Sequence, residues 1–222
     1  MKTRLAKAQA AYENAVENVS DLHVKISDGN KKLGAIPSVS LIPVMDCGNC
    51  AICAKSCYDL RNDFIYKEVI KTRAVNSAIY HEDPERYFKE IDGYLDYRFP
   101  RAFRFHIGGD IQDKWYLGKM CEIARKHKDT KFLAFTKMFD VCNEYLDEGN
   151  VIPENMHILF SGWLGLKMDN RHGFPEAHPI FESGTSAPEG TRLCTGNCTE
   201  CLKEDRLCWS IGKGQAIGFL AH

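Results

Sequence analysis

Eight of the ten cysteines fall into two short stretches, "CGNCAICAKSC" (47–57) and "CTGNCTECLKEDRLC" (194–208). In the first, Cys47, Cys50, Cys53 and Cys57 are separated by two, two and three residues; in the second, Cys194, Cys198, Cys201 and Cys208 are separated by three, two and six. Thiolates are soft ligands, and several of them in one curled loop suit thiophilic metals. A four-iron cluster takes thiolates at three or four corners, and two-residue gaps let a loop wrap it. Four-cysteine zinc sites more often pair two C-x2-C units across a longer gap. The spacing therefore favours one or two [4Fe-4S] clusters, with zinc as the less favoured metal. Whether each knot takes its own cluster or the two share one stays open on spacing alone. Disulfides rank third. The opening "MKTRLAKAQAAYENAVENV" is broken by Lys7, Gln9, Glu13 and Asn14, so it does not read as a secretory leader, and a reducing compartment disfavours disulfides.

The elements that must position these loops can be read from periodicity. Residues 4–19 repeat apolar side chains at helical spacing (Leu5, Tyr12, Val16, Val19). "DLHVKIS" reads as a short strand and "PSVSLIPV" (37–44) as a buried one that runs straight into the first knot. Residues 58–80 read as helix in two segments. "DPERYFKEIDGYLDY" opens with an Asp cap and Pro at the first helical position. A strand–helix rhythm follows: "AFRFHIGG", then a helix over 110–127 capped by Asp110, "KFLAFTK", "FDVCNEYLDE" and "MHILFSGW". Strands apolar on both faces, alternating with helices, predict an α/β fold, either a partial barrel or an open, mostly parallel sheet with cysteine-rich metal-binding loops. Residues 165–190 read as loop and "QAIGFLAH" as a last strand. The expected organisation is an N-terminal helix and short strand over 1–30, then one α/β domain over 31–222.

Chemistry in such sheets gathers beyond the carboxyl ends of the strands. One rim would then collect the first knot, Gly108, Gly109 and Asp110, Lys137, and Ser161. Plainer readings stand beside these. The two glycines allow a tight turn and Asp110 a helix cap. His106 shares a strand face with Arg104 and reads as a hydrogen-bonded core histidine. Lys137 reads as a solvated strand end ahead of a substrate lysine, and His172 and His178 as solvated loop residues ahead of extra metal ligands. Trp115 and Tyr116 read as packing, Cys121 and Cys142 as core on apolar helix faces. Tyr58 and Trp209, each next to a knot cysteine, read as shields against water. "KEVIKTR" (67–73) reads as a solvated basic face.

Lys and Arg total 29 against 30 for Asp and Glu, a net charge of −1. That offers no bulk attraction to nucleic acid or to an anionic membrane. No run approaches the roughly 18 apolar residues of a membrane span. A redox partner or a host protein is the remaining class of partner.

Three segments together carry a resemblance: "GNKKLGAIPSVSLIPVMDCGNCAICAKSCY" (29–58), "FRFHIGGDIQDKWYL" (103–117) and the cysteine-rich tail ending in "CW" (208–209). They resemble the phage-encoded, cysteine-rich gene-product-eighty-eight family over roughly residues 28–210. The resemblance implies a viral source, the host cytoplasm as its place, and an iron–sulfur or other metal site; it implies no reaction. A looser resemblance is to radical-SAM enzymes, whose cysteine loop follows the first strand and whose Gly-Gly-Glu motif ends the second. Gly108 and Gly109 match the glycines, and Asp110 stands where the Glu would. Cys194, Cys198 and Cys201 have that superfamily's C-x3-C-x2-C spacing, but far along the chain. The first knot lacks this spacing and offers a fourth thiol that would close the open iron. This resemblance implies S-adenosylmethionine held by Gly108, Gly109, Asp110, Lys137 and Ser161. Three functions follow as expectations: an electron-carrying or cluster-stabilised iron–sulfur protein, a radical-SAM-like enzyme, and a zinc-stapled interaction module.

Overall fold

The structure, a computed structural model, describes residues 2–48, 50 and 53–220. The Tyr58 side chain, read above as a shield, lies outside what is described. The elements are α1 (Lys2–Glu17), β1 (Ser38–Val39), α2 (Tyr58–Ile65), α3 (Lys67–Glu82), α4 (Pro84–Arg98), β2 (Ala102–Phe105), α5 (Lys114–Lys126), β3 (Lys131–Thr136), α6 (Phe139–Asp147) and β4 (Met156–Ser161). After them come β5 (Glu176–Phe181), β6 (Gly184–Thr185), β7 (Arg192–Leu193), α7 (Cys198–Lys203) and β8 (Ala216–Leu220).

The strands form one open sheet in the order β1-β2-β3-β4-β5-β8-β7, every pair parallel, with β6 added antiparallel to β5. It does not close into a barrel. Successive parallel neighbours joined by right-handed crossovers place their helices on one face. The packing agrees. Phe103, Phe105, Phe132, Ala134, Ile158 and Phe160 face a core that includes Ile79, Ile91, Leu117, Met120 and Phe139 from α3–α6. Cys121 and Cys142 lie fully buried in this layer, as expected of core cysteines.

The alternate strand residues, Ala102, Leu133, Leu159 and Ala177, face the other way. What covers them is the cysteine-rich tail with its short helix α7: Cys201, Leu207, Trp209 and Ile211 pack there with Leu33 and Ile36. The two-faced apolar strands are thus explained by one helical layer and one tail layer.

Several elements differ from the sequence reading. "DLHVKIS" makes a single bridge, Ser27 to Ser38, not a strand. "PSVSLIPV" is strand only at Ser38–Val39, because the chain then folds back at Val44, whose φ is 72°. The helix read over 110–127 begins at Lys114 and is capped by Asp113, which accepts from the Tyr116 N–H at 2.7 Å. Residues 165–190, read as loop, contain β5 and β6; Pro179 and the polar residues around it disguise a strand that pairs on both edges. The 1–30 segment packs by Ala8 and Ala15 against Ile70, Ala74 and Ala78 of α3.

Candidate metal centres

The first knot lies beyond the carboxyl end of β1, and Asp46 anchors the loop that leads into it. The buried Asp46 carboxylate accepts from the Ile42 N–H at 2.9 Å, from the Ser77 hydroxyl at 2.6 Å, and bonds His81 Nε2 at 2.8 Å. Its carbonyl accepts from the Asp110 N–H at 2.8 Å and from Gln112 Nε2 at 2.9 Å. The loop is therefore tied to α3 and to the turn after β2 before the first thiol appears. On its far side, Asp59 of α2 pairs with Arg73 of α3 at 2.8 Å, both almost fully buried. Arg73 is therefore not on the solvated basic face that "KEVIKTR" suggests; Lys67 and Lys71 are exposed as expected.

The Val44 N–H points at Cys47 Sγ and the Leu60 N–H at Cys57 Sγ, each at 3.4 Å. Such donors favour a thiolate, as N–H groups directed at a ligated sulfur do. Burial pushes the Cys47 thiol up, and nearby Asp110, Cys50 and Cys57 add to it. Burial, with Cys53 and Cys57 alongside, pushes Cys50 up to about 11, against a lowering by Lys137. Burial raises Cys57, and Asp59 adds to it against the Leu60 N–H.

The second knot roofs the opposite sheet face. Cys194 follows β7, Cys198 and Cys201 lie on α7, and Cys208 lies in a 3-10 turn beside the buried Trp209. The Trp209 indole N–H donates to the Cys198 carbonyl at 3.2 Å, so Trp209 both shields and fastens the knot. The Gly196 N–H points at Cys194 Sγ at 3.4 Å, and the Thr195 hydroxyl lies 3.3 Å from Cys201 Sγ. The knot is docked on residues 32–33, through the Cys198 N–H to the Lys32 carbonyl at 3.0 Å and the Thr199 hydroxyl to the Leu33 carbonyl at 2.9 Å. Burial pushes Cys208 up to about 12, and Cys194 and Cys198 add to it, while Arg104 lowers it. Cys198 is raised by burial, while Arg104 and Lys32 lower it.

The ten cysteines are unpaired. Clustered buried thiols resist ionisation for want of a compensating charge, and a metal cargo supplies it. Among the described residues, the metal-ligating side-chain atoms that gather within 4.8 Å of one another are those of Asp92, Asp96 and His127. There Lys126 already bonds both carboxylates, at 2.7 and 2.6 Å, so an ammonium stands where a cation would. Among the described residues, no three knot sulfurs form such a group. Four thiolates about 2.3 Å from one zinc stand about 3.8 Å apart, whereas a cubane spreads its thiolates over separate irons.

The other rim residues separate into two groups. Lys137 and Ser161 meet, Nζ to Oγ at 2.9 Å, and Lys137 also lies over the Trp163 ring at 5.6 Å, so Lys137 is a tethered, half-buried strand end. A cleft of about 500 Å³ opens there, lined by Gly48 of the first knot, Lys137, Met138 and Lys167 among others. Gly108, Gly109 and Asp110 face packed neighbours. A Cβ on Gly108 would come within 2.3 Å of Asp59 Oδ2, and one on Gly109 within 2.6 Å of Leu41 Cβ. Asp110, buried, accepts from the Thr136 hydroxyl at 2.6 Å and from the N–H groups of Ile111 and Lys137 at 2.7 and 2.9 Å, joining the ends of β2 and β3.

The histidines depart most from expectation. His106 has φ 58°, which turns its ring away from the Arg104 face to lie against Tyr116 at 5.4 Å. It is not a hydrogen-bonded core histidine: both ring nitrogens are buried without a hydrogen-bond partner among the described residues, and burial takes its pKa down to about 3. His178, read as solvated, is buried in β5 and bonds Ser186 Oγ at 2.9 Å and Glu176 Oε2 at 2.7 Å. His172 bonds Asp147 at 2.7 Å near the surface. Trp115 is partly exposed and Tyr116 fully buried. The residue that sequence reasoning missed is Arg104, whose alternation with Phe103 and Phe105 already placed it on the second-knot face.

Among the described residues, no helix is long and apolar enough to cross a membrane. No curated protein and no solved structure matches the chain. A family model described as Gene product 88 matches residues 3–172, a span that holds the first knot and its rim and stops short of the second knot. That span is well over half of the 222 residues, and the chain belongs to the gene product 88 family.

Proposed function

We propose that this chain is an iron–sulfur protein of the phage-infected host cytoplasm that carries single electrons. Cys47, Cys50, Cys53 and Cys57 would hold one [4Fe-4S] cluster, and Cys194, Cys198, Cys201 and Cys208 a second. The observation that carries this reading is the gathering of eight unpaired thiols into two separate sets of four, one on the rim of the sheet and one on its face. Clusters bound there would supply one-electron reduction and reoxidation. The chain's own part is to exclude water with Trp209, to direct the Val44, Leu60 and Gly196 N–H groups at ligand sulfurs, and to hold the first loop through Asp46.

A second reading, a radical-SAM-like enzyme, is favoured by the cleft beside Gly48, where Lys137, held by Ser161, would meet a substrate. Against it stand the fourth thiol of the first knot and the packed positions of Gly108, Gly109 and Asp110.

Oxygen-free purification with iron, sulfide and zinc counts and an absorption spectrum tests the proposal. It expects a brown protein with about four irons and four sulfides per knot. A colourless, zinc-loaded protein would overturn it in favour of the interaction module. S-adenosylmethionine added to the reduced protein should leave its paramagnetic spectrum unchanged; a changed spectrum would favour the enzyme.

A further inference from the structure

The two knots have the same four ligands in different surroundings. Around the second, two cations are fixed on aromatic supports. The Arg104 guanidinium lies 4.8 Å from the centre of the Phe135 ring, and Lys32 Nζ lies 4.8 Å from the centre of the Phe219 ring. Those two rings meet edge to face at 5.7 Å. Both belong to the layer in which Cys194, Cys198, Cys201 and Cys208 pack. Arg104 Nε is buried with no hydrogen-bond partner among the described residues. A buried guanidinium N–H left unmatched is costly, and its natural complement is an anionic acceptor. Asp59, already bonded to Arg73, is within reach of the Arg104 charge but is not its hydrogen-bond partner.

We propose that Arg104 is a positioning residue for the metal group of the second knot, its Nε–H directed at that group's sulfur and its charge, with that of Lys32, holding the group at a higher reduction potential than the first. This rests on the iron–sulfur reading above. Reduction adds one electron, taken from the electrode or chemical reductant, and makes a thiolate-ligated cluster more negative by one charge. A fixed cation a few ångströms away favours the reduced form. Around the first knot the charges are more nearly balanced: Asp110 stands beside Cys47, Asp59 beside Cys57 is paired with Arg73, and Lys137 is the cation near Cys50.

The test is a redox titration of the whole chain, followed by its paramagnetic and absorption signals. The signal lost in Cys208→Ala is assigned to the second knot. In Arg104→Met that signal should move to more negative potential by at least about 59 mV, a tenfold change in a one-electron equilibrium. Arg104→Lys, which keeps the charge, should move it less, and Lys32→Met should move it in the same direction by less than Arg104→Met. The signal lost in Cys53→Ala should stay where it was. Should Arg104→Met not fold, Arg104→Gln and Lys32→Met carry the same sign. Iron in the second knot with an unmoved potential in these variants overturns the role of Arg104 and leaves the iron–sulfur reading standing. A second knot without iron in the wild-type protein overturns both.

Discussion

The first knot is a loop on the rim of the sheet, and the second is a layer on its face. The first can be described without reference to the core: Asp46, Ser77 and His81 tie it down from one side and the Asp59–Arg73 pair from the other. The second is the core of its side of the molecule, because Leu133, Leu159 and Ile217 have Trp209, Leu207 and Cys201 as their cover. The same set of four thiols therefore does two physical jobs. If each set holds a metal as proposed, its loss from the rim would disturb one loop, and its loss from the face would uncover a sheet. The family model draws the same line, taking in the rim knot and leaving out the face knot.

The widest break in this comparison comes from removing ligands. Cys53→Ala and Cys208→Ala should each lose about half of the iron and sulfide, but only Cys208→Ala should also lower the thermal midpoint markedly. Metal analysis beside calorimetry reads both, and equal stability losses would erase the distinction. Next are the supports. Trp209→Ala empties a fully buried site and should cost about 3–5 kcal/mol. Arg73→Met strands the Asp59 carboxylate and should cost about 3–5 kcal/mol as well, with Asp59→Asn in the same chain recovering part of it. Urea unfolding measures each. The iron signal should suffer at the second knot in the first variant and at the first knot in the other.

A smaller effect concerns pH. The His81 pKa is raised, chiefly by its hydrogen bond to Asp46. A raised value means that protonated His81 favours the folded state. This contribution is complete below about pH 6.5, the ordinary imidazole value, and is lost as pH climbs through the higher folded value. His81→Gln should flatten the thermal midpoint over that window. Because the His81 ring is partly exposed, the pair should give the smallest change of the set, and a midpoint that still falls identically in the variant would refute the assignment.

Much of the architecture was legible because periodicity and caps are local signals. Asp83 caps α4 through the Arg86 N–H at 3.0 Å, with Pro84 at its first position, as the sequence indicated. The run of β2, β3 and β4 was legible for the same reason. What escaped was set by distant contacts. Strand β5 needs β4 and β8 on its flanks to override Pro179. His106 left its strand face through a left-handed backbone that a bulky residue adopts only when its surroundings force it. Cysteine spacing located both knots but could not tell rim from face. Two of the three groups that consume the Asp110 carboxylate come from residues 26 and 27 positions away.

Strand β8 follows every other strand in the chain yet lies between β5 and β7. During synthesis those two neighbours leave the ribosome first and have a slot to fill, with backbone donors and acceptors waiting on both sides. Until residues 216–220 emerge, β5 and β7 each keep a border open that β8 later fills, and a stranger's strand would fit there as well as its own. A tail that clamps early around a metal would hold β7 near its place during that interval and shorten the time in which such a mistake can happen.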